Sequence, residues 1–326
     1  MADSGTAVTS PATDPAAALQ RARHGDVRAL GRLLTWVENG APELRPVLAA
    51  AAPLTGQARV LGLTGAPGVG KSTLTGALVA GYRERGLRVG VLAVDPSSPF
   101  TGGALLGDRV RMQQHATDPD VFIRSMASRG QLGGLARATP QALRVLDAAG
   151  FDVILVETVG VGQAEVAVAS LADSTLVIVA PGHGDAIQAA KAGILEIGDL
   201  FVVNKSDQPG AQETVRDLRT MIAMAQRAAG DWKPPIVSTV AASGTGLDDL
   251  TAKLDSHWAW LDDTGTGERR RRARAREEIS VIALAELRRR LGGLPGDDRL
   301  DDLARQVTAG ELDPYAAAGE LISGAG

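Results

Sequence analysis

Short apolar runs alternate with helical stretches through the middle of the chain, from residue 58 onward. Each run is continuously apolar and does not alternate with polar residues, which is typical of strands that are buried on both faces of a sheet. The runs cover residues 59–64, 88–95, 152–158, 174–180, 199–204 and 235–240. Because helical segments lie between most of them, the pattern predicts an α/β fold built on a mainly parallel, doubly wound sheet.

Helical patterns precede and follow these strands. Upstream, one apolar stripe with residues at i, i+3, i+4 and i+7 predicts a helix through Leu30, Leu33, Leu34 and Val37, and a second helix follows to about residue 52. Downstream, a long charged helix is predicted over 267–291, with a helical pair over 298–323. One face of the long helix carries Leu284, Leu287 and Leu291. Because this tail cannot bury such a stripe alone, we expect it to pack on the core or on a second subunit.

The first apolar run leads directly into a glycine-rich loop. Residues 65–72 read GAPGVGKS, which matches the pattern G-x-x-x-x-G-K-[ST] between a strand and a helix. Glycine permits a tight loop whose backbone N–H groups converge on phosphate oxygens, and the helix start adds the positive end of its dipole. The motif predicts a nucleotide site in which Lys71 contacts the β- and γ-phosphates and Ser72 binds Mg²⁺. The expected nucleotide-binding residues here are Gly65, Ala66, Pro67, Gly68, Val69, Gly70, Lys71, Ser72 and Thr73.

A carboxylate, Glu157, stands near the end of the apolar run 152–158. At the tip of a strand beside a phosphate loop, such a group is placed to hold Mg²⁺ directly or through water, so it is a candidate for metal binding and catalysis. The VGVGQ that follows is glycine-rich enough to move when the γ-phosphate leaves. Gln163 in this segment is a candidate to position the attacking water. The alternative interpretation of the stretch is a plain strand and turn.

The tetrapeptide NKSD at 204–207 follows another apolar run and fits the N-K-x-D signature of guanine-specific NTPases. The Asp207 carboxylate can accept both the N1–H and the exocyclic amine of guanine, whereas adenine has no matching donors and would leave the carboxylate unpaired. Lys205 is expected to lie along the base, and Asn204 is expected to brace the loop. Together with the phosphate motif, this turn predicts a protein that binds GTP and GDP and hydrolyses GTP.

Composition narrows the class of protein. The net charge of −4 argues against a nucleic-acid partner, and the lack of cysteine excludes disulfides, thiolate nucleophiles and cysteine-based metal sites. The N-terminus lacks a signal-peptide pattern, and no apolar run approaches the ~20 residues that a membrane span requires. We therefore expect a cytoplasmic protein with no membrane partner.

The segments between these motifs resemble the methylmalonyl-CoA mutase-associated GTPases, a family related to the ArgK-type proteins and to the signal-recognition and nickel-insertion class of P-loop GTPases. The resemblance covers roughly residues 15–325. It is carried by residues 95–103 (DPSSPFTGG), 107–112 (GDRVRM), 128–134 (SRGQLGG), 157–163 (ETVGVGQ), 181–188 (PGHGDAIQ) and 191–193 (KAG). The first two segments resemble switch I of the family, and the last two resemble the loop called switch III.

The resemblance implies a set of metal ligands in which Asp95 and Asp108 join Ser72 and Glu157 around Mg²⁺. Taken alone, Asp108 and the neighbouring arginine are equally consistent with a solvated surface pair. The resemblance further implies that the GTP state gates cofactor loading and protection of an adenosylcobalamin-dependent acyl-CoA mutase, with methylmalonyl-CoA mutase first among the partners. Because no arginine finger is identifiable, we expect slow intrinsic hydrolysis that a partner accelerates.

The implied organisation has four parts. A disordered lead-in covers 1–15, N-terminal helices cover 16–55, a P-loop GTPase domain covers 56–262, and a C-terminal helical arm that forms a homodimer covers 263–326. The chain departs from the family pattern at two places. Ala241 and Ala242 stand where Ser-Ala is usual, and a backbone N–H near Ala242 is expected to meet guanine O6; His183 stands where a small residue is usual.

Two other functions are consistent with parts of the sequence. A metallochaperone GTPase for a nickel or cobalt enzyme would share the phosphate loop, but such proteins usually carry Cys or His clusters, and the four histidines here are scattered. A kinase acting on a transport component, as the ArgK name suggests, does not require guanine selectivity. The six arginines within 269–276 most simply form a solvated helix face, and the alternative is a surface for an acidic partner or nucleic acid.

Overall fold

The computed structural model contains one seven-stranded sheet in which all paired strands are parallel. It describes residues 14–95, 115, 117–127, 138–158, 168–182, 194–225, 228, 230–290 and 298–323. The strands are β1 (Arg59–Thr64), β2 (Val89–Asp95), β3 (Val121–Ala127), β4 (Val153–Thr158), β5 (Ser174–Val179), β6 (Leu200–Val203) and β7 (Ile236–Ser238). Their order across the sheet is β3-β2-β4-β1-β5-β6-β7. The prediction of a parallel, doubly wound α/β fold is confirmed.

Helices precede the sheet, cover it and continue beyond it. Before β1 lie α1 (Pro15–Arg23), α2 (Val27–Asn39), α3 (Leu44–Ala51) and a 3-10 turn at Ala52–Leu54. Along the sheet lie α4 (Lys71–Glu84), α5 (Thr139–Ala148), α6 (Ile194–Ile197), α7 (Ala211–Met224) and α8 (Leu247–Asp263). The C-terminal part contains α9 (Thr266–Arg290), α10 (Asp298–Thr308) and α11 (Pro314–Ser323).

Alternate residues of each central strand face opposite helical layers. In β4, Ile154 and Val156 pack in one core with residues of α1, α2, α3 and α5. Val153 and Leu155 pack in a second core with residues of α4 and α8. All residues of β4 are buried, and this burial on both faces explains why the run in the sequence is continuously apolar.

The edge strand β3 is not among the predicted runs. Its sequence VFIRSMA places polar side chains inside an apolar segment. One of them, Arg124, forms an ion pair with Glu38 of α2 and donates a hydrogen bond to the Thr35 hydroxyl, 3.3 Å away. An edge strand has a neighbour on one side alone, so it accommodates such side chains, and its pattern is weaker than that of a central strand.

The helix predicted from the first apolar stripe is α2. Its four stripe residues are all buried: Leu30, Leu33, Leu34 and Val37. Asp26 caps the N-terminus by accepting hydrogen bonds from the backbone N–H groups of Arg28 and Ala29, both at 3.0 Å. Gly40 ends the helix in the left-handed conformation, at φ 58°.

The chain divides into two compact units, Met1–Glu268 and Arg269–Gly326. In the second unit, α10 contacts α11, and Leu303 and Ala317 are buried. Two residues of the predicted stripe on α9, Leu284 and Leu287, are exposed, whereas Leu291 lies outside the described residues. No helix within the described ranges combines the length and the apolar character that crossing a bilayer requires.

Candidate functional site

The glycine-rich loop at 65–70 joins the end of β1 to the start of α4. Gly65 and Gly70 both have positive φ angles, 144° and 96°. A Cβ atom on Gly65 would lie 2.2 Å from the backbone oxygen of Ile178, and one on Gly70 would lie 2.4 Å from the side-chain nitrogen of Asn204. Both positions therefore require glycine for conformation and for space.

Lys71 is the first residue of α4 and is almost entirely buried. Its ammonium group donates hydrogen bonds to the backbone oxygens of Gly65, at 2.6 Å, and Ala66, at 3.2 Å. The side chain is thus folded back over the glycine-rich loop. This places a positive charge beside the helix start, where backbone N–H groups and the helix dipole also favour an anion.

The side chain of Ser72, at the start of α4, contacts that of Glu157, near the end of β4. The Ser72 hydroxyl donates a hydrogen bond to Oε1 of Glu157 at 2.6 Å, and the carboxylate is 1% exposed. Hydroxyl and carboxylate oxygens are hard donors of the kind that Mg²⁺ binds, and this ion fills its other positions with water and phosphate oxygens. The donor set brought together here therefore fits the predicted ion.

A second hydroxyl, outside the residues predicted from the motifs, also reaches this carboxylate. Thr75 Oγ1 lies 3.0 Å from Oε2 of Glu157 and is buried on the same helix as Ser72. The spacing of three residues along a helix places both hydroxyls on one face. This spacing is the signal in the sequence that would have identified Thr75.

Asn204, at the end of β6, connects three segments of the chain. Its Nδ2 donates a hydrogen bond to the backbone oxygen of Val69 at 2.9 Å. Its Oδ1 accepts hydrogen bonds from the Thr239 hydroxyl at 3.2 Å and from the Ala241 backbone N–H at 3.0 Å. The buried asparagine therefore joins the glycine-rich loop to the segment after β7.

Lys205 and Asp207 occupy the turn that follows Asn204. Lys205 adopts a left-handed backbone conformation, at φ 55°, and its ammonium group donates a hydrogen bond to the backbone oxygen of Gly68 at 2.8 Å. Asp207 is exposed, and so is Ala242 in the facing turn after β7. The turn thus holds an exposed carboxylate two residues after a lysine that reaches the glycine-rich loop.

Several predicted residues fall outside the described part of the chain. These are the side chain of Asp95, whose backbone ends β2, together with Asp108, Gln163 and His183. The structure therefore brings together Lys71, Ser72 and Glu157 at one point, and Asn204, Lys205 and Ala241 at another. Both points lie at the carboxyl end of the parallel sheet, where ligands bind in open α/β folds.

Known proteins match this chain over most of its length. Residues 30–293 match the family model described as methylmalonyl Co-A mutase-associated GTPase MeaB. A protein of Pyrococcus abyssi named as a GTPase is 46% identical over 307 residues, which is 93% of this chain and 94% of that protein. A protein of Mycobacterium tuberculosis, also named as a GTPase, is 41% identical over 310 residues, 92% of each chain.

A solved structure is similar over the whole fold. The crystal structure described as that of a LAO/AO transport system kinase aligns with a TM-score of 0.71 and 26% sequence identity. The alignment covers 96% of this chain and 98% of that one.

Proposed function

The chain belongs to the MeaB family of methylmalonyl-CoA mutase-associated GTPases and hydrolyses GTP, and we propose that it uses this cycle as a chaperone of an adenosylcobalamin-dependent acyl-CoA mutase. The observation that carries the proposal is the family match over residues 30–293. In this account the GTP state gates cofactor loading and protection, and methylmalonyl-CoA mutase is the first partner to test. The corrinoid cofactor belongs to that partner.

In the proposed base site, Asp207 accepts the N1–H and the exocyclic amine of guanine. The carboxylate is exposed in the turn that follows Asn204, and the side chain of Asn204 is bonded to the glycine-rich loop. Lys205 lies along the base, and its contact with Gly68 links the base site to the phosphate site. The Ala241 backbone N–H is bonded to Asn204, which supports assigning the contact with guanine O6 to the neighbouring Ala242.

In the proposed phosphate site, residues 65–73 bind the phosphates and Lys71 stabilises charge on the γ-phosphoryl group. Mg²⁺, held by Ser72 and Glu157 together with Asp95 and Asp108, would neutralise the phosphate oxygens when bound. Gln163 is the proposed residue that positions the attacking water. These groups position the nucleotide and neutralise its charge, but no arginine finger is among them. We therefore expect a slow rate of GTP hydrolysis that the partner increases.

The partner assignment is tested with the full chain and a purified adenosylcobalamin-dependent methylmalonyl-CoA mutase. Calorimetric titrations with GDP, with a non-hydrolysable GTP analogue and without nucleotide should give dissociation constants that depend on the nucleotide. Lys71→Ala is the matched variant, because it should bind the mutase without that dependence. Equal affinity under all three conditions, or no binding, would refute the chaperone function. The assignment of GTPase activity would still stand.

We propose that the C-terminal arm makes the protein a homodimer. The supporting observation is the set of exposed apolar side chains on α9: Ile279, Val281, Ile282, Leu284 and Leu287. Sedimentation equilibrium should give twice the mass of the chain, and Leu284→Glu with Leu287→Glu should reduce it to a monomer. A monomer for the unmodified chain would exclude the dimer.

One observation favours a second candidate function. The crystal structure described as a LAO/AO transport system kinase has the same fold over nearly the whole chain. A kinase would transfer the γ-phosphate of GTP to an acceptor protein, whereas a GTPase switch releases it as inorganic phosphate. Quantitative release of phosphate, with no labelled protein formed from γ-labelled GTP in the presence of a transport component, would exclude the kinase.

A further inference from the structure

Two hydroxyl groups on α4 contact the two oxygens of one buried carboxylate. Ser72 Oγ lies 2.6 Å from Oε1 of Glu157, and Thr75 Oγ1 lies 3.0 Å from Oε2. Thr75 is fully buried, and Glu157 is 1% exposed. Each carboxylate oxygen therefore has a hydroxyl of its own, supplied from successive turns of one helix.

The Thr75 hydroxyl also lies near the backbone oxygen of Lys71, at 3.0 Å. A threonine hydroxyl has one proton, and in a helix it commonly donates that proton to the carbonyl four residues earlier. At Thr75 the carboxylate offers a second acceptor at the same distance, and moving the proton between the two requires a rotation about one bond. Thr75 can thus hold Glu157 without any movement of the helix.

The Ser72 hydroxyl would have two roles in the proposed site. Its oxygen would be a ligand of Mg²⁺ through a lone pair, and its O–H would have to keep its direction toward Glu157 at the same time. A carboxylate that is 1% exposed has little water to replace a lost partner. Thr75 is not needed as a metal ligand, so its hydroxyl stays available to Glu157 throughout.

We propose that Thr75 is a positioning residue that keeps the Glu157 carboxylate oriented toward the divalent ion. This inference rests on the proposed Mg²⁺ site. Thr75 does not touch the ion or the nucleotide in this account; it acts through Glu157. Groups that orient a metal ligand in this way change metal affinity by roughly 10- to 100-fold when they are removed.

The test compares Thr75→Val, which replaces the hydroxyl by a methyl group, with Thr75→Ser, which keeps the hydroxyl. The readout is the release rate of fluorescent GDP over a range of Mg²⁺ concentrations, beside GTP hydrolysis over the same range. Thr75→Val should raise the Mg²⁺ concentration for half-maximal effect by about tenfold. GDP affinity in EDTA should not change, and Thr75→Ser should behave as the unmodified chain does.

Thr251→Val is the matched control. Thr251 lies on α8, is half-buried and donates the same hydrogen bond to the carbonyl four residues earlier, at 3.0 Å from Leu247 O, with the backbone oxygen of Asp248 as a second acceptor at 3.1 Å. A role of Thr75 limited to helix packing predicts that both valine variants lose some stability and keep the normal Mg²⁺ dependence. That outcome would overturn the proposal.

Thr75→Ala covers the case in which valine prevents folding, because alanine is the best helix former and introduces no new atoms. It should give the same shift in Mg²⁺ dependence as valine. If both variants unfold while Thr75→Ser folds, Thr75 acts through stability, and the proposal is wrong. If the unmodified chain shows no response to Mg²⁺, the proposed metal site fails instead, which separates the two failures.

Discussion

The side-chain amide of Asn204 donates a hydrogen bond to the backbone oxygen of Val69, at 2.9 Å, and so joins the turn after β6 to the glycine-rich loop after β1. These two segments are separated by the strand β5 in the sheet. Because the bond forms within the protein itself, it fixes the two halves of the proposed nucleotide site relative to each other. Such pre-organisation reduces the cost of ordering loops on binding.

Replacing Asn204 by alanine should weaken both the fold and the proposed nucleotide site. The variant leaves the buried groups Val69 O and Ala241 N–H without their partner, and each unsatisfied group costs about 1–3 kcal/mol. We expect a lower free energy of unfolding in urea and weaker GDP binding by calorimetry. Gln212→Ala removes an exposed amide from α7 and should change neither quantity. Unchanged GDP affinity in Asn204→Ala would contradict the bracing role.

Replacing Gly70 by alanine should abolish nucleotide binding. The added Cβ would lie 2.4 Å from Asn204 Nδ2, at a φ angle of 96° that alanine rarely adopts. Gly86 follows α4 with φ 76° and has open space around its Cβ position, so Gly86→Ala is the matched control. It should cost about 1 kcal/mol of stability and leave GDP binding intact. Equal effects of the two variants on GDP binding would show that the clash at Gly70 is unimportant.

Replacing Tyr82 by phenylalanine should stabilise the protein. The Tyr82 hydroxyl is buried and has no hydrogen-bond partner in the described part of the chain, and burial raises the pKa of this phenol well above its ordinary value. Phenylalanine keeps the buried ring and removes the unsatisfied hydroxyl, so the free energy of unfolding should rise by about 1 kcal/mol. Tyr315→Phe alters a side chain that is 91% exposed and should have no effect. A destabilised Tyr82→Phe variant would mean that the hydroxyl has a partner.

The ion pair between Arg83 and Asp118 should make stability depend on pH in the acid range. The hydrogen bond from the Arg83 guanidinium, followed by that from the Asp120 backbone N–H, lowers the pKa of the Asp118 carboxyl below its ordinary value of 3.8. The folded state therefore favours the carboxylate, so the contribution is complete above pH 3.8 and is lost as the pH falls through the lower folded-state pKa.

Asp118→Asn should accordingly be less stable than the unmodified chain at neutral pH, and the difference should shrink as the pH falls below 3.8. Urea unfolding at a series of pH values measures this difference directly. A difference that stays constant down to the lowest pH would assign the effect of Asp118 to something other than its charge.

The sequence predicts the central strands well because both of their faces are buried. The run at 59–64 coincides with β1, and the stripe through α2 is buried as its spacing predicts. The edge strand β3 is missed because Arg124 interrupts its apolar pattern and finds its partner, Glu38, in a distant helix. Local periodicity contains no information about such a contact.

The same distinction holds at the candidate site. Motif spacing predicts roles for Lys71, Ser72 and Asp207, since each belongs to a short contiguous pattern. It does not identify the bond from Asn204 to Val69, which joins positions 135 residues apart in the chain, or the second hydroxyl at Thr75. These contacts exist because a parallel sheet brings the carboxyl ends of its strands to one edge, and the fold must be known before they can be named.

The central claim is that Asp207 selects guanine. The most direct test is a titration with GDP, xanthosine diphosphate (XDP) and ADP in Mg²⁺ buffer, made on the unmodified chain and on Asp207→Asn. Aspartate accepts two hydrogen bonds from guanine, whereas asparagine offers one donor and one acceptor, which match the carbonyl and N–H of xanthine. The unmodified chain should prefer GDP over ADP by on the order of 10⁴-fold, and Asp207→Asn should prefer XDP over GDP. ADP binding as tight as GDP binding, or a variant that still prefers GDP, would contradict the account.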